Sequence, residues 1–98
     1  MKATSPNNIG KIIRNGIAVV QFTASWCAPC KKLSPILQEL ENDNPGIKFL
    51  TCSIEDYPEV AKEFNMKSIP TVIVFVDGVE VRRLVGLRGK SDYAKALE

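Results

Sequence analysis

Two cysteines, Cys27 and Cys30, stand three positions apart in Trp26-Cys27-Ala28-Pro29-Cys30-Lys31. An apolar run precedes them and a helical pattern follows, so the pair falls at a strand-to-helix junction. There the unsatisfied N–H groups and positive end of the helix favour a thiolate on the first sulfur. A cysteine three residues on can reach the first and close a small disulfide ring. An attacking thiolate with a resolving thiol beside it is what thiol–disulfide exchange requires.

Other chemistries have little to work with. The chain has no histidine, which excludes a Cys–His nucleophile, an imidazole base and a His-ligated metal. Cys52 could add only a third thiolate ligand, and a closed zinc site normally takes four ligands. No metal site within one chain is therefore expected. No Gly-x-Gly-x-x-Gly fingerprint is present, so the chain is expected to carry no cofactor of its own. Cys52, inside an apolar run, reads as a small core hydrophobe.

The elements that position the pair follow from the pattern on either side. Ile17 to Ala24 is a short apolar run, read as a strand covered on both faces. Leu33, Ile36, Leu37 and Leu40 follow at helical spacing, with Pro35 inside that helix as a source of bending. Asn42-Asp43-Asn44-Pro45-Gly46 ends it. Ile47 to Ile54 reads as a second strand, parallel to the first because a helix joins them. A short helix starting at Asp56 or Tyr57, ahead of Pro58, turns Val60, Ala61 and Phe64 inward. Thr71 to Val76 and Val79 to Val85 form a hairpin around Asp77-Gly78. Before the first strand, Asn7 to Arg14 carries Ile9, Ile12 and Ile13 at helical spacing, with Ser5 as cap and Pro6 as the first helical residue. Ser91 is placed to cap a last helix from Asp92 to Glu98.

The chain of 98 residues is expected to form one α/β domain over residues 1–98. Its net charge of +2 gives no strong pull toward nucleic acid or anionic lipid. Arg82, Arg83, Arg88 and Lys90 are read as a solvated face. No apolar run approaches membrane-spanning length. Met1 to Asn8 lacks the apolar core of a signal peptide, so the expected location is cytoplasmic, where a Cys-x-x-Cys pair is more often catalytic than structural.

The chain resembles the thioredoxin family. The resemblance rests on Trp26-Cys27-Ala28-Pro29-Cys30-Lys31, Pro35 in the following helix, Ile69-Pro70-Thr71, Val76-Asp77-Gly78 and Val85-Gly86. It runs from about Ile17 to Gly86. It implies a thioredoxin fold, with helices on both faces of a central mixed sheet. The segment before the first helix is too short to supply the family's usual first strand as well, which leaves about four strands. It also implies that Cys27 is the nucleophile, partly exposed, and Cys30 the shielded resolving thiol. Trp26 would lie over the dithiol. Trp26, Ala28, Pro29, Ile69, Pro70 and Gly86 would form a client groove, with a cis bond before Pro70 and close backbone approach at Gly86. Lys31, Gln21 and Thr51 would form the surroundings of the dithiol.

The chain departs from the family at three of these positions. Ala28-Pro29 replaces the commonest Gly-Pro. Gln21 stands where the family usually buries an aspartate, and Thr51 where it often places a lysine. An amide cannot take a proton from the resolving cysteine at neutral pH. The implied activity is reduction of protein disulfides by a monomer, recharged by an NADPH-linked flavoprotein thioredoxin reductase. A glutathione-linked, glutaredoxin-like reductase and a non-catalytic binding module using the same groove are the alternatives.

Overall fold

The computed structural model describes residues 1–98. Five strands form one mixed sheet in the order β1-β3-β2-β4-β5. They are β1 (Lys2–Ala3), β2 (Ile17–Thr23), β3 (Lys48–Ser53), β4 (Thr71–Val76) and β5 (Val79–Val85). The helices are α1 (Pro6–Ile12), α2 (Ala28–Asp43), α3 (Glu59–Glu63) and α4 (Lys90–Ala96). Central β2 runs parallel to β3 and antiparallel to β4.

Side chains alternate across the sheet and divide the core in two. Ala18, Val20, Phe22, Leu50, Cys52, Ile73 and Phe75 meet Ile9 and Ile13 from the α1 segment and Val60 of α3. On the other face Val19, Phe49, Val72, Val74 and Leu84 meet Leu33, Leu37 and Leu40 of α2 and Tyr93 of α4. Residues buried on both faces explain the unbroken apolar runs of β2 and β4. β2 shows five consecutive buried residues, Ala18 to Phe22, and one of them is the polar Gln21.

Two expectations are corrected. The sheet has five strands rather than about four. The extra strand is Lys2–Ala3, paired in parallel with Leu50 and Thr51, and Thr4 N–H continues the ladder to Thr51 O at 2.8 Å. Two exposed residues suffice because an edge strand needs only backbone groups to pair, which leaves no trace in side-chain patterning. The last helix begins at Lys90 with Gly89 as its N-cap, and Ser91 lies inside it. Lys90 there reaches Asp43 at 3.3 Å and Glu39 at 3.5 Å on α2. Two smaller differences are that α3 starts at Glu59 and that Ser5 occupies the cap of α1 without a side-chain bond. No helix is long and apolar enough to cross a membrane.

Candidate active site

β2 delivers the chain to the cysteine pair at the edge of the core. After Thr23 the backbone turns, with Cys27 N–H donating to Ala24 O at 3.2 Å. Ser25 holds this turn from outside: its N–H and hydroxyl donate to the Glu55 carboxylate at 2.7 and 3.0 Å. Those two donors, the backbone one foremost, hold the Glu55 carboxyl below its ordinary value. Cys27 is then the N-cap of α2, in extended conformation. Its Sγ accepts from Cys30 N–H at 3.2 Å, the bond a capping oxygen would usually make. Pro29 sits in the first turn, where a missing N–H costs no ladder bond.

Cys27 and Cys30 are joined as a disulfide. Cys30 is buried as expected, but Cys27 is only 4 % exposed rather than partly exposed. The ring folds both sulfurs inward, where they pack with Ala24, Ile54 and Ile69. Trp26 is 68 % exposed. With Ile54, Ala61, Met66, Lys67, Ser68 and Ile69 it lines a cleft of about 360 Å³ beside the disulfide. The indole thus presents apolar surface to solvent, while the isoleucines do much of the covering. Ala28, Pro29 and Lys31 are exposed on the first turn of α2.

The second wall comes from the loop before β4. The Ile69–Pro70 bond is cis, and Pro70 is buried. Thr71 Oγ1 donates to Ser68 O at 2.6 Å. Gly86 N–H donates to Pro70 O at 2.8 Å, so the Gly86 backbone does come close to the proline. Gly86 has φ +84°, and a Cβ there would meet nothing within 4 Å. Backbone conformation is what calls for glycine here, and the space in front of it is open.

Beneath the pair lies Gln21, fully buried. Its Nε2 donates to Cys30 O at 3.2 Å. Ser34 Oγ donates to the same carbonyl at 3.1 Å and lies 3.5 Å from Gln21 Oε1. Thr51 is the register partner of Gln21 on β3 and is half-buried. The expected site residues are therefore gathered at one end of the sheet, with Thr51 one strand further out.

Three contributors had escaped the sequence reading. Glu55 leaves no local signal. Ser34 does leave one, a serine four residues after Cys30 and just before a helix proline. Tyr93 pins the Gly86 loop, donating from its hydroxyl to Gly86 O at 3.1 Å and accepting from Arg88 N–H at 3.2 Å. Cys52 lies on the opposite face of the sheet, where burial, then Glu59, Glu63 and Asp56, push its thiol up to about 11. No three His, Cys, Asp or Glu side chains converge as a metal site would need.

The thioredoxin family model matches residues 1–98. The chain belongs to the thioredoxin family. It is 37% identical over 97 residues to the thioredoxin of Chlamydia caviae, covering 99% of this chain and 95% of that one. It is 39% identical over 93 residues to the thioredoxin of Staphylococcus haemolyticus, covering 94% and 89%. Plasmodium falciparum thioredoxin superposes with a TM-score of 0.90 at 28% identity, over 99% of this chain and 96% of that one.

This thioredoxin-family chain is a dithiol–disulfide oxidoreductase with Cys27 and Cys30 as its redox-active pair. Neither the glutathione-linked nor the non-catalytic alternative is favoured. Family membership implies disulfide-containing client proteins and a thioredoxin reductase as partners.

Proposed function

We propose that the chain works as a monomeric, single-domain reductant of protein disulfides in the cytoplasm, with Cys27 as nucleophile and Cys30 as resolving thiol. The observation that carries the assignment of roles is the cap geometry. Cys30 N–H already points at Cys27 Sγ, and the same donor with the start of α2 would stabilise a thiolate there. In the reduced protein the Cys27 thiolate attacks a client disulfide. One S–S bond forms to Cys27, the client S–S bond breaks, and the departing client sulfur takes the electron pair. Cys30, deprotonated to water or to that leaving thiolate, then attacks Cys27 Sγ and releases the second client sulfur. The Cys27–Cys30 disulfide is restored. An NADPH-linked flavoprotein reductase returns two electrons.

The groove reading is supported by the exposed Trp26, Ala28 and Pro29 on one side of the disulfide and by Ile69, buried Pro70 and the open space before Gly86 on the other. The test is reduction of insulin disulfides coupled to NADPH through a thioredoxin reductase. Cys27→Ser is expected to abolish turnover. Cys30→Ser is expected to accumulate a mixed disulfide through Cys27, seen by mass spectrometry. Adducts formed at Cys30 would reverse the assignment, and recharging by glutathione alone would replace the reductase.

A further inference from the structure

Pro35 has no N–H, so Lys31 C=O lacks the helical bond that residue 35 would give it. The first turn of α2 is one ladder bond short directly beside Cys30. That is also the turn whose Cys30 N–H must aim at Cys27 Sγ, 3.2 Å away. Two side chains grip the other end of the same residue. Gln21 Nε2 reaches Cys30 O from the sheet at 3.2 Å, and Ser34 Oγ reaches it from one turn further along the helix at 3.1 Å. The amide orientation follows from chemistry, since its oxygen turned toward Cys30 O would set acceptor against acceptor.

We propose that Ser34 is a positioning residue of the exchange reaction. With Gln21 it clamps the Cys30 carbonyl, and through the Cys30 backbone it holds the N–H that stabilises the Cys27 thiolate. This deepens the proposed function, because it assumes that Cys27 is the attacking sulfur. The clamp is neutral. The charged groups around the dithiol are elsewhere: Lys31 and Lys32 on exposed positions of α2, Lys67 on the loop before Pro70, and Glu55 bound to Ser25. From the sheet, β2 presents Gln21, β3 Thr51 and β4 Val72, none of which is charged.

The test is the pH–rate profile of the pre-reduced protein with the small disulfide 5,5′-dithiobis(2-nitrobenzoate), for wild type, Ser34→Ala and Ser34→Thr, beside thiolate absorbance titration. Alanine is the better helix former, and Ser34 is half-buried, so Ser34→Ala is expected to fold. Loosening one hydrogen bond is expected to lower the thiolate fraction by about fivefold below the Cys27 pKa. A less acidic thiolate is a better nucleophile, with a Brønsted coefficient of about 0.4–0.5. The rate of Ser34→Ala should therefore be about two- to threefold lower at acidic pH and about twofold higher once the thiol is fully ionised. The two profiles cross, which a merely structural defect would not produce. Ser34→Thr keeps the hydroxyl and should follow wild type. Profiles that superimpose, that fall by one factor at every pH, or that cross equally in Ser34→Thr overturn the proposal. Failure with insulin alone, with the crossing intact, would instead overturn the reading of client and reductase.

Discussion

At the scale of the residue, a buried amide lies beneath the dithiol. Gln21 is fully buried and bonded to Cys30 O. A carboxylate in its place would repel a developing thiolate and face a carbonyl oxygen with no proton between them. Wild type should therefore show a lower Cys27 pKa than Gln21→Asp, and its couple should be the more oxidising of the two, because a stabilised thiolate favours the reduced form. Absorbance titration and redox equilibration of the two proteins decide this, and an equal or higher wild-type pKa would remove the argument. Cys52 gives a second prediction. Its thiol is raised from 9.0 to about 11, mainly by burial. The folded protein holds this proton more tightly than the unfolded chain. The resulting stability is complete below pH 9, is lost as pH rises through the interval to about 11, and does not change further beyond it. Cys52→Ala should flatten that part of a denaturation-versus-pH curve, and an alkylating reagent at neutral pH should label reduced wild type at Cys27 while sparing Cys52.

At the scale of the element, the active site is an end of a sheet closed by loops, and the loops are held from a distance. Tyr93 on α4 is buried, and its hydroxyl bridges Gly86 O and Arg88 N–H. Burial raises its phenol above the ordinary value of 10.0, so it remains a donor across the physiological range. Tyr93→Phe removes both bonds and strands two backbone groups, with an expected loss of about 1–3 kcal/mol. Chemical denaturation measures that loss. Hydrogen exchange at the Gly86 amide should rise if the loop opens locally and stay fixed if the tyrosine serves only the core. This contrast also explains what the sequence made legible. β2, β3, β4, α2 and the Asp77-Gly78 hairpin were visible because each is written in side-chain periodicity or turn chemistry. Cys27 and Cys30 were visible because their types and spacing are chemically unusual, and Trp26, Pro70 and Gly86 through the resemblance of their motifs to the thioredoxin family. The strand Lys2–Ala3 is made by backbone pairing alone. α4 docks on α2 through buried Tyr93 against Leu33, Leu37 and Leu40, a contact between distant parts of the chain. Glu55 and Tyr93 act across 30 and seven residues respectively, through contacts that only the folded chain creates.

At the scale of the molecule, a nearly neutral protein carries its exposed tryptophan beside its reactive disulfide. The net charge is +2. Arg83 is neutralised by Glu80 at 2.7 Å, and Lys90 by Asp43 and Glu39. Arg82 and Arg88 turn their guanidinium groups onto their own backbone at Val81 O and Val85 O. No strong field therefore steers clients from afar. The cleft itself is lined by Trp26, Ile54, Ala61, Met66 and Ile69, with Lys67 as its one charged residue. Apolar attraction has no preferred direction, so that lining suits many extended chains, and Lys67 is left to discriminate among them by charge. Lys67→Glu lowers the net charge from +2 to zero and reverses the sign at the cleft. At low ionic strength its reduction of an acidic disulfide-containing client should slow by up to about thirtyfold, the size of two unit-charge interactions near 4 Å in water, one attraction lost and one repulsion gained. A basic client should be reduced faster by a similar factor, and an uncharged small disulfide should be unaffected. All three should move toward wild type above about 1 M salt, where the Debye length falls to about 3 Å. A slowing with the acidic client that persists at high salt would show that Lys67 acts by direct contact and not by its field.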